Sequence, residues 1–249
     1  RQFDLPMGQI LFKCPFCSTE HWLSDYLSML DDSADEWSKE ESASALRDTL
    51  ETLTLFHFIR KYHKDKKTMS ETLFIKDGPL LLRAALSRLV EPIRAFFEML
   101  KRDGHVLHLI GIEKTGDVVN LLEEFKSALP NPGDYFLPSV KFLLEEVAGK
   151  TMHENYRNRV SYGAKVAVRI GNDHIVALNV PTGAFLTEPK TQDLMGLEES
   201  VRALSQLVSY QYPNAVIPLV LANSAVSIAR RPSGDILTTF TDSLVGGGE

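Results

Sequence analysis

Thr72-Leu-Phe-Ile-Lys-Asp-Gly-Pro79 and His105-Val-Leu-His-Leu-Ile-Gly-Ile112 decide the fold of this chain. Each holds a short run of apolar residues, and the first stops at Lys76-Asp77-Gly78-Pro79. Such runs read as buried strands of a parallel sheet. The stretch between them, about Pro79 to Arg102, reads as a helix that Pro92 bends. A third helix covers about Asp117 to Leu129. Strand, helix, strand, helix at this spacing is a βαβα unit with parallel strands and a right-handed crossover. The fold class expected is therefore α/β. Leu73 to Ile75 is apolar enough to lie in the middle of the sheet.

Working outward, a long helix precedes the unit, roughly Ser42 to His63. Leu46, Leu50 and Leu53 mark one apolar stripe at helical spacing, and Leu55, Phe58 and Tyr62 mark another. Before it, Leu5 to Phe16 reads as an extended segment that turns at Cys14-Pro-Phe-Cys17. A short helix is expected from about His21 to Leu30, and an acidic connector follows. Beyond Pro130-Asn-Pro-Gly133, residues 162–170 alternate. Tyr162, Ala164, Val166, Val168 and Ile170 share one face, and Lys165 and Arg169 the other. Gly171-Asn-Asp173 turns into Ile175 to Val180, which makes a hairpin. Helices are expected over 197–209 and 215–228, and a last one from Arg231-Pro-Ser233. The chain divides into an N-terminal segment, 1–35, with a knuckle-like CxxC turn, and a main domain, 36–249.

Composition narrows the function classes. The 249 residues are 44% hydrophobic and 24% charged, which suits a globular protein. No run approaches the ~18 apolar residues of a membrane span. No secretory signal opens the chain, and only two cysteines are present, so a reducing, cytoplasmic setting is expected. The chain does not open with Met, so a natural start upstream of Arg1 is expected. The net charge of −6 excludes indiscriminate coating of nucleic acid. A nuclease stays open, because its metal site needs carboxylates and its basic groove is local.

Asp77 is the leading chemical candidate. It ends a buried strand before Gly78-Pro79, where open α/β sheets bind ligands, and its carboxylate suits Mg²⁺ or Mn²⁺. The plainer reading is a turn Asp that caps a helix starting at Pro79. Glu51 lies one turn before Leu55 and is either an inward carboxylate that needs a partner or a boundary residue with its head in water. Lys114, in Glu113-Lys114-Thr115-Gly116, suits a phosphate as a compact charge, or is a solvated loop residue. Cys14, Cys17 and His21 form C-x2-C-x3-H, half a zinc site; a second subunit or upstream residues would complete it. The alternative is a reduced pair left from a lost knuckle. Lys165, Arg169, Arg230 and Arg231 stand among local basic groups of the kind phosphate contacts use.

Several of these segments resemble the NurA family. They are 72–79, Leu-Val-Glu-Pro-Ile-Arg-Ala-Phe-Phe at 89–97, Leu-Ile-Gly-Ile-Glu-Lys-Thr-Gly116, and Ile217 to Ser233. The resemblance implies a Mn²⁺-dependent DNA nuclease with an RNase H-like core. It also implies a homodimer that works with a HerA-type hexameric translocase in end resection or phage defence. Asp77 matches the family's second metal-binding Asp, and Glu51 lies on the helix where a Glu is expected. The family's first Asp and first strands are expected upstream, which makes this chain a C-terminal part. Asn223 stands where the family's late His is expected. A rival class is a catalytically inactive adaptor that clamps DNA for a motor ATPase.

Overall fold

The computed structural model describes residues 11–15, 18–22, 36–124, 126–147, 154–212 and 214–225. Two strands, β1 (Leu11–Lys13) and β2 (Glu20–Trp22), pair antiparallel as a small separate sheet. Cys14 lies in their turn, where its carbonyl accepts the Ser18 N–H and its N–H donates to Thr19. His21 therefore belongs to a strand, paired with Phe12, and does not start a helix. Residues 23–35 lie outside the described residues, as do the segments from 226 onward with Arg230 and Arg231.

The main sheet has five strands among the described residues. In chain order they are β3 (Leu73–Asp77), β4 (His108–Glu113), β5 (Tyr135–Phe136), β6 (Gly163–Gly171) and β7 (His174–Pro181). Their order across the sheet is β3-β4-β7-β6-β5. β3 and β4 run parallel, with Asp77 opposite Ile112, as the βαβ pattern requires. The other pairs are antiparallel, and Lys165 stands opposite Asn179 in the β6–β7 hairpin. β3 is not central. Among the described residues it is the outer strand, with β4 on one side only.

Helices cover both faces. On one face lie α1 (Glu36–Tyr62), the short α2 (Lys66–Glu71) and α3 (Val90–Arg102). Ile59 of α1, Phe97 and Leu100 of α3, and Leu109 of β4 form a fully buried cluster there. α4 (Asp117–Glu124) covers the neighbouring part of that face through Val119, against Ala167 and Ala177. On the opposite face, α7 (Leu197–Ser205) and α8 (217–225) pack Val201, Leu204 and Leu219 on Ile112, Val166 and Leu178. Two short helices, α5 (Val140–Phe142) and α6 (Glu154–Val160), lie between β5 and β6. No described helix is long and apolar enough to cross a membrane.

Pro79 does not open a helix. Residues 79–83 are irregular, a 3-10 segment spans Ala84–Leu89, and α3 begins at Val90. Pro92 then falls in the first turn, where no intrahelical N–H is required, so it starts the helix and has nothing to bend.

Candidate active site

β3 delivers Asp77 to its carboxyl end by simple alternation. Gly78 donates its N–H to the Ile112 carbonyl at 2.8 Å, so the β3–β4 ladder runs to the end of the strand. Gly78 then turns the chain at φ +90°, a conformation that favours glycine. Gly111 on β4 lets this turn pass, because a Cβ there would stand 2.5 Å from the Gly78 carbonyl oxygen. The half-exposed Asp77 carboxylate accepts from Lys114 Nζ at 3.1 Å. Parallel pairing thus brings together two residues that are 37 positions apart in sequence.

A groove of about 790 Å³ runs beside β3. Its walls are α1, with Leu46, Arg47, Leu50, Glu51, Leu55 and Phe58, and α8, with Leu219, Ala222 and Asn223. Ile75, Lys76 and Asp77 form its floor. A second cavity of about 470 Å³ lies on the other side of Asp77, between Asp48, Thr52 and Arg83. Glu51 does not point into the core. It is half exposed, faces the groove and pairs with Arg47 at 3.7 Å, one helical turn away. The groove thus gathers Asp77, Glu51 and Asn223, with Lys114 on Asp77. The donors are hard oxygens, which suit Mg²⁺ or Mn²⁺ more than a soft metal. Among the described residues no three His, Cys, Asp or Glu side chains come together.

Lys165 and Arg169 share one face of β6, as the alternation predicts, but neither projects into open solvent. Lys165 is 8% exposed and donates to Glu113 at 2.8 Å. Asn179 donates to the other oxygen of Glu113. Burial pushes the Lys165 ammonium below its ordinary pKa, Glu113 opposes this, and the nearby Arg157 adds to it. Burial lowers Arg157 in the same way, again against Glu113. Arg169 donates to three backbone carbonyls, those of Leu129, Gly171 and Asn172. Both cations hold the fold together.

The sequence marks Glu113 only as part of Glu-Lys-Thr-Gly116 and gives Arg47 no role. A carboxylate that closes a buried strand was the available signal for Glu113. For Arg47 it was the spacing of four residues to Glu51 on one helix. The zinc candidates are only partly placed: Cys14 lies in the hairpin turn, while Cys17 and the side chain of His21 lie outside the described residues.

No family model matches this chain, and neither a curated protein nor a solved structure matches it.

Proposed function

We propose that this chain is the C-terminal part of a metal-dependent DNA nuclease of the NurA type. One observation carries the reading: Asp77, Glu51 and Asn223, from three separate segments, line one groove at the carboxyl end of β3. Two carboxylates and an amide oxygen fit a cation such as Mn²⁺ or Mg²⁺, which takes its remaining ligands from water and substrate phosphate. When bound, such a cation activates water and steadies the leaving oxygen of a phosphodiester. The chain's own residues bind and orient. Asp77 and Glu51 hold the cation, and Arg47 keeps the Glu51 carboxylate in the groove. Lys114 screens Asp77 while no cation is bound and is free to meet a phosphate afterwards.

The RNase H-like core belongs to the same proposal. The order α1, β3, α3, β4, α4 supports it, since such a core continues helix, strand, helix, strand, helix after its first three strands. So do the proposed partners: DNA, a HerA-type hexameric translocase and a second copy of the protein, all in the cytoplasm. A second reading, the non-catalytic DNA clamp of a motor ATPase, is favoured by Asn223 in place of a histidine and by the Lys114 ion pair on Asp77.

Manganese-dependent cleavage of linear duplex DNA by the protein that includes its natural upstream segment separates the two. Asp77→Asn keeps the shape and removes the charge. We expect activity to fall about 100-fold or more, the scale of a few kcal/mol of lost charge stabilisation, with folding intact. Near-normal cutting by Asp77→Asn would remove Asp77 from the site. No cutting by the parent protein, with DNA binding retained, would establish the clamp.

A further inference from the structure

A cavity of about 20 Å³ shares no lining residue with the groove or with the cavity on the other side of Asp77. It is walled by the first residues of β6, by α3 and α6, and by the loop that follows β7. Its polar lining side chains are Arg94, Arg157, Ser161, Lys165 and Thr182, and each carries a donor. Among the described residues no carboxylate lines it, and the rest of the lining, Val140, Leu143 and Phe185 included, is apolar. A space of this size holds one water or one small ion.

The charges around it do not balance. Arg94 is 3% exposed and pairs with Glu91 at 2.6 Å. Its terminal nitrogens also donate to the Asn158 side chain and to the carbonyls of Asn158 and Ser161. Its Nε–H is buried without a partner. Lys165 is paired with Glu113, and the Ser161 hydroxyl donates to the Gly163 carbonyl. Arg157 is partly buried, and among the described residues its guanidinium makes no hydrogen bond or ion pair. Three cations thus meet two carboxylates, and the charge of Arg157 is left over. Burial disfavours the charged form of all three cations. A water in the cavity supplies an acceptor but no charge. A phosphate, with four oxygens around its phosphorus, needs more room. A small monovalent anion supplies both the acceptor and the missing charge. We infer that the cavity binds one anion of the halide class, such as chloride, held by Arg157, the Arg94 Nε–H and Thr182. The ion ties α3 and α6 to the start of β6 and so acts as a structural ligand. The inference uses neither Asp77 nor the groove, and it stands apart from the nuclease reading.

Thermal denaturation in sodium salts, with no divalent metal present, tests it. Sodium chloride replaces sodium gluconate, whose anion is too large for the cavity, up to about 200 mM at constant ionic strength and so at constant screening. An ion that binds only the folded state, with a dissociation constant of about 10 mM, raises the melting temperature by about 5 °C over that range. Bromide reproduces the rise, and crystals held in bromide show an anomalous-scattering peak beside Arg157. Arg157→Gln abolishes both, and Arg157→Lys, which keeps the charge, retains part of the rise. No rise in the parent chain overturns the inference and leaves the cavity to water or to a carboxylate of the chain itself. An equal rise in Arg157→Gln overturns it as well, since salt then acts on the surface at large. So does a rise with phosphate as large as that with chloride, because the cavity is then no small-ion site. No DNA or divalent metal enters this readout, so its failure and the failure of the nuclease reading are distinguishable.

Discussion

At the scale of single residues, burial decides what a charge is for. Lys165 and Glu113 form an ion pair with side chains 8% and 17% exposed, tied further by Asn179. Removing one partner strands the other in a medium that penalises lone charge. Lys165→Ala should therefore lower unfolding stability by about 3 kcal/mol, read by urea denaturation. Pairing Lys165→Met with Glu113→Gln should recover most of that loss. The salt dependence of DNA binding should barely change in any variant that stays folded, because Lys165 is occupied within the protein. The alternation that puts Lys165 and Arg169 on one face is legible in the sequence. Their destination is not, since Glu113 lies 52 positions away and only the β4–β7–β6 pairing brings it near. Tyr162 offers a second test. Its ring is fully buried, and its hydroxyl faces Thr52 without a hydrogen bond of normal geometry. Burial raises its pKa above the ordinary 10. The folded state then keeps this proton where the unfolded state loses it. Its contribution is complete below pH 10 and is lost as pH rises beyond it. Tyr162→Phe should show a smaller stability loss between pH 10 and 12. At neutral pH it should be neutral or stabilising by up to about 2 kcal/mol, since an unpaired buried hydroxyl is removed.

At the scale of elements, α1 shows what periodicity reveals and what it hides. Two apolar stripes are visible in its sequence, but the fully buried Ile59 lies in neither, and Phe58 of the second stripe is 44% exposed. Ile59, with Leu55, Phe56 and Tyr62 around it, packs into the core, while Leu46, Leu50 and Leu53 stay about half exposed. A stripe tells that a face is apolar and is silent on which neighbour covers it. Ile59→Ala should lower stability by about 3 kcal/mol, the usual penalty for a large core truncation. Leu53→Gln should change it by no more than about 0.5 kcal/mol. Thermal denaturation of the two variants checks this contrast, and equal losses would mean that the exposed stripe is covered within the chain. The strand–helix–strand order, the hairpin and the place of Asp77 at the end of β3 are all legible, because short apolar runs, turn residues and glycines are local signals. The place of β3 at the sheet edge is not, because strand order is fixed by pairing between distant segments. β2 is hidden from the sequence for a related reason: Glu20–Trp22 is too short to show a period, and pairing with Leu11–Lys13 makes His21 part of a strand where a helix start is expected.

At the scale of the whole molecule, the candidate site ties separate parts of the chain together, so cation binding should appear as stability. Asp77 and Glu51 come from β3 and α1, and Asn223 from α8. Without a cation, Asp77 is held by Lys114 at 3.1 Å in a partly exposed pair worth no more than about 1 kcal/mol. Asp77→Asn should then leave the melting temperature within about 3 °C in metal-free buffer. A ligand that binds only the folded state adds about 2.7 kcal/mol at 100 times its dissociation constant. For a domain of this length that amounts to roughly 5–10 °C. Titrating Mn²⁺ into the protein should raise its melting temperature by that amount, and Asp77→Asn should abolish the rise. Lys114→Met should shift the same curve to lower Mn²⁺, since the ammonium no longer competes for Asp77. A rise that persists in Asp77→Asn would place the cation elsewhere. No rise in the parent protein at millimolar Mn²⁺ would leave Asp77 as a turn residue with a lysine for company.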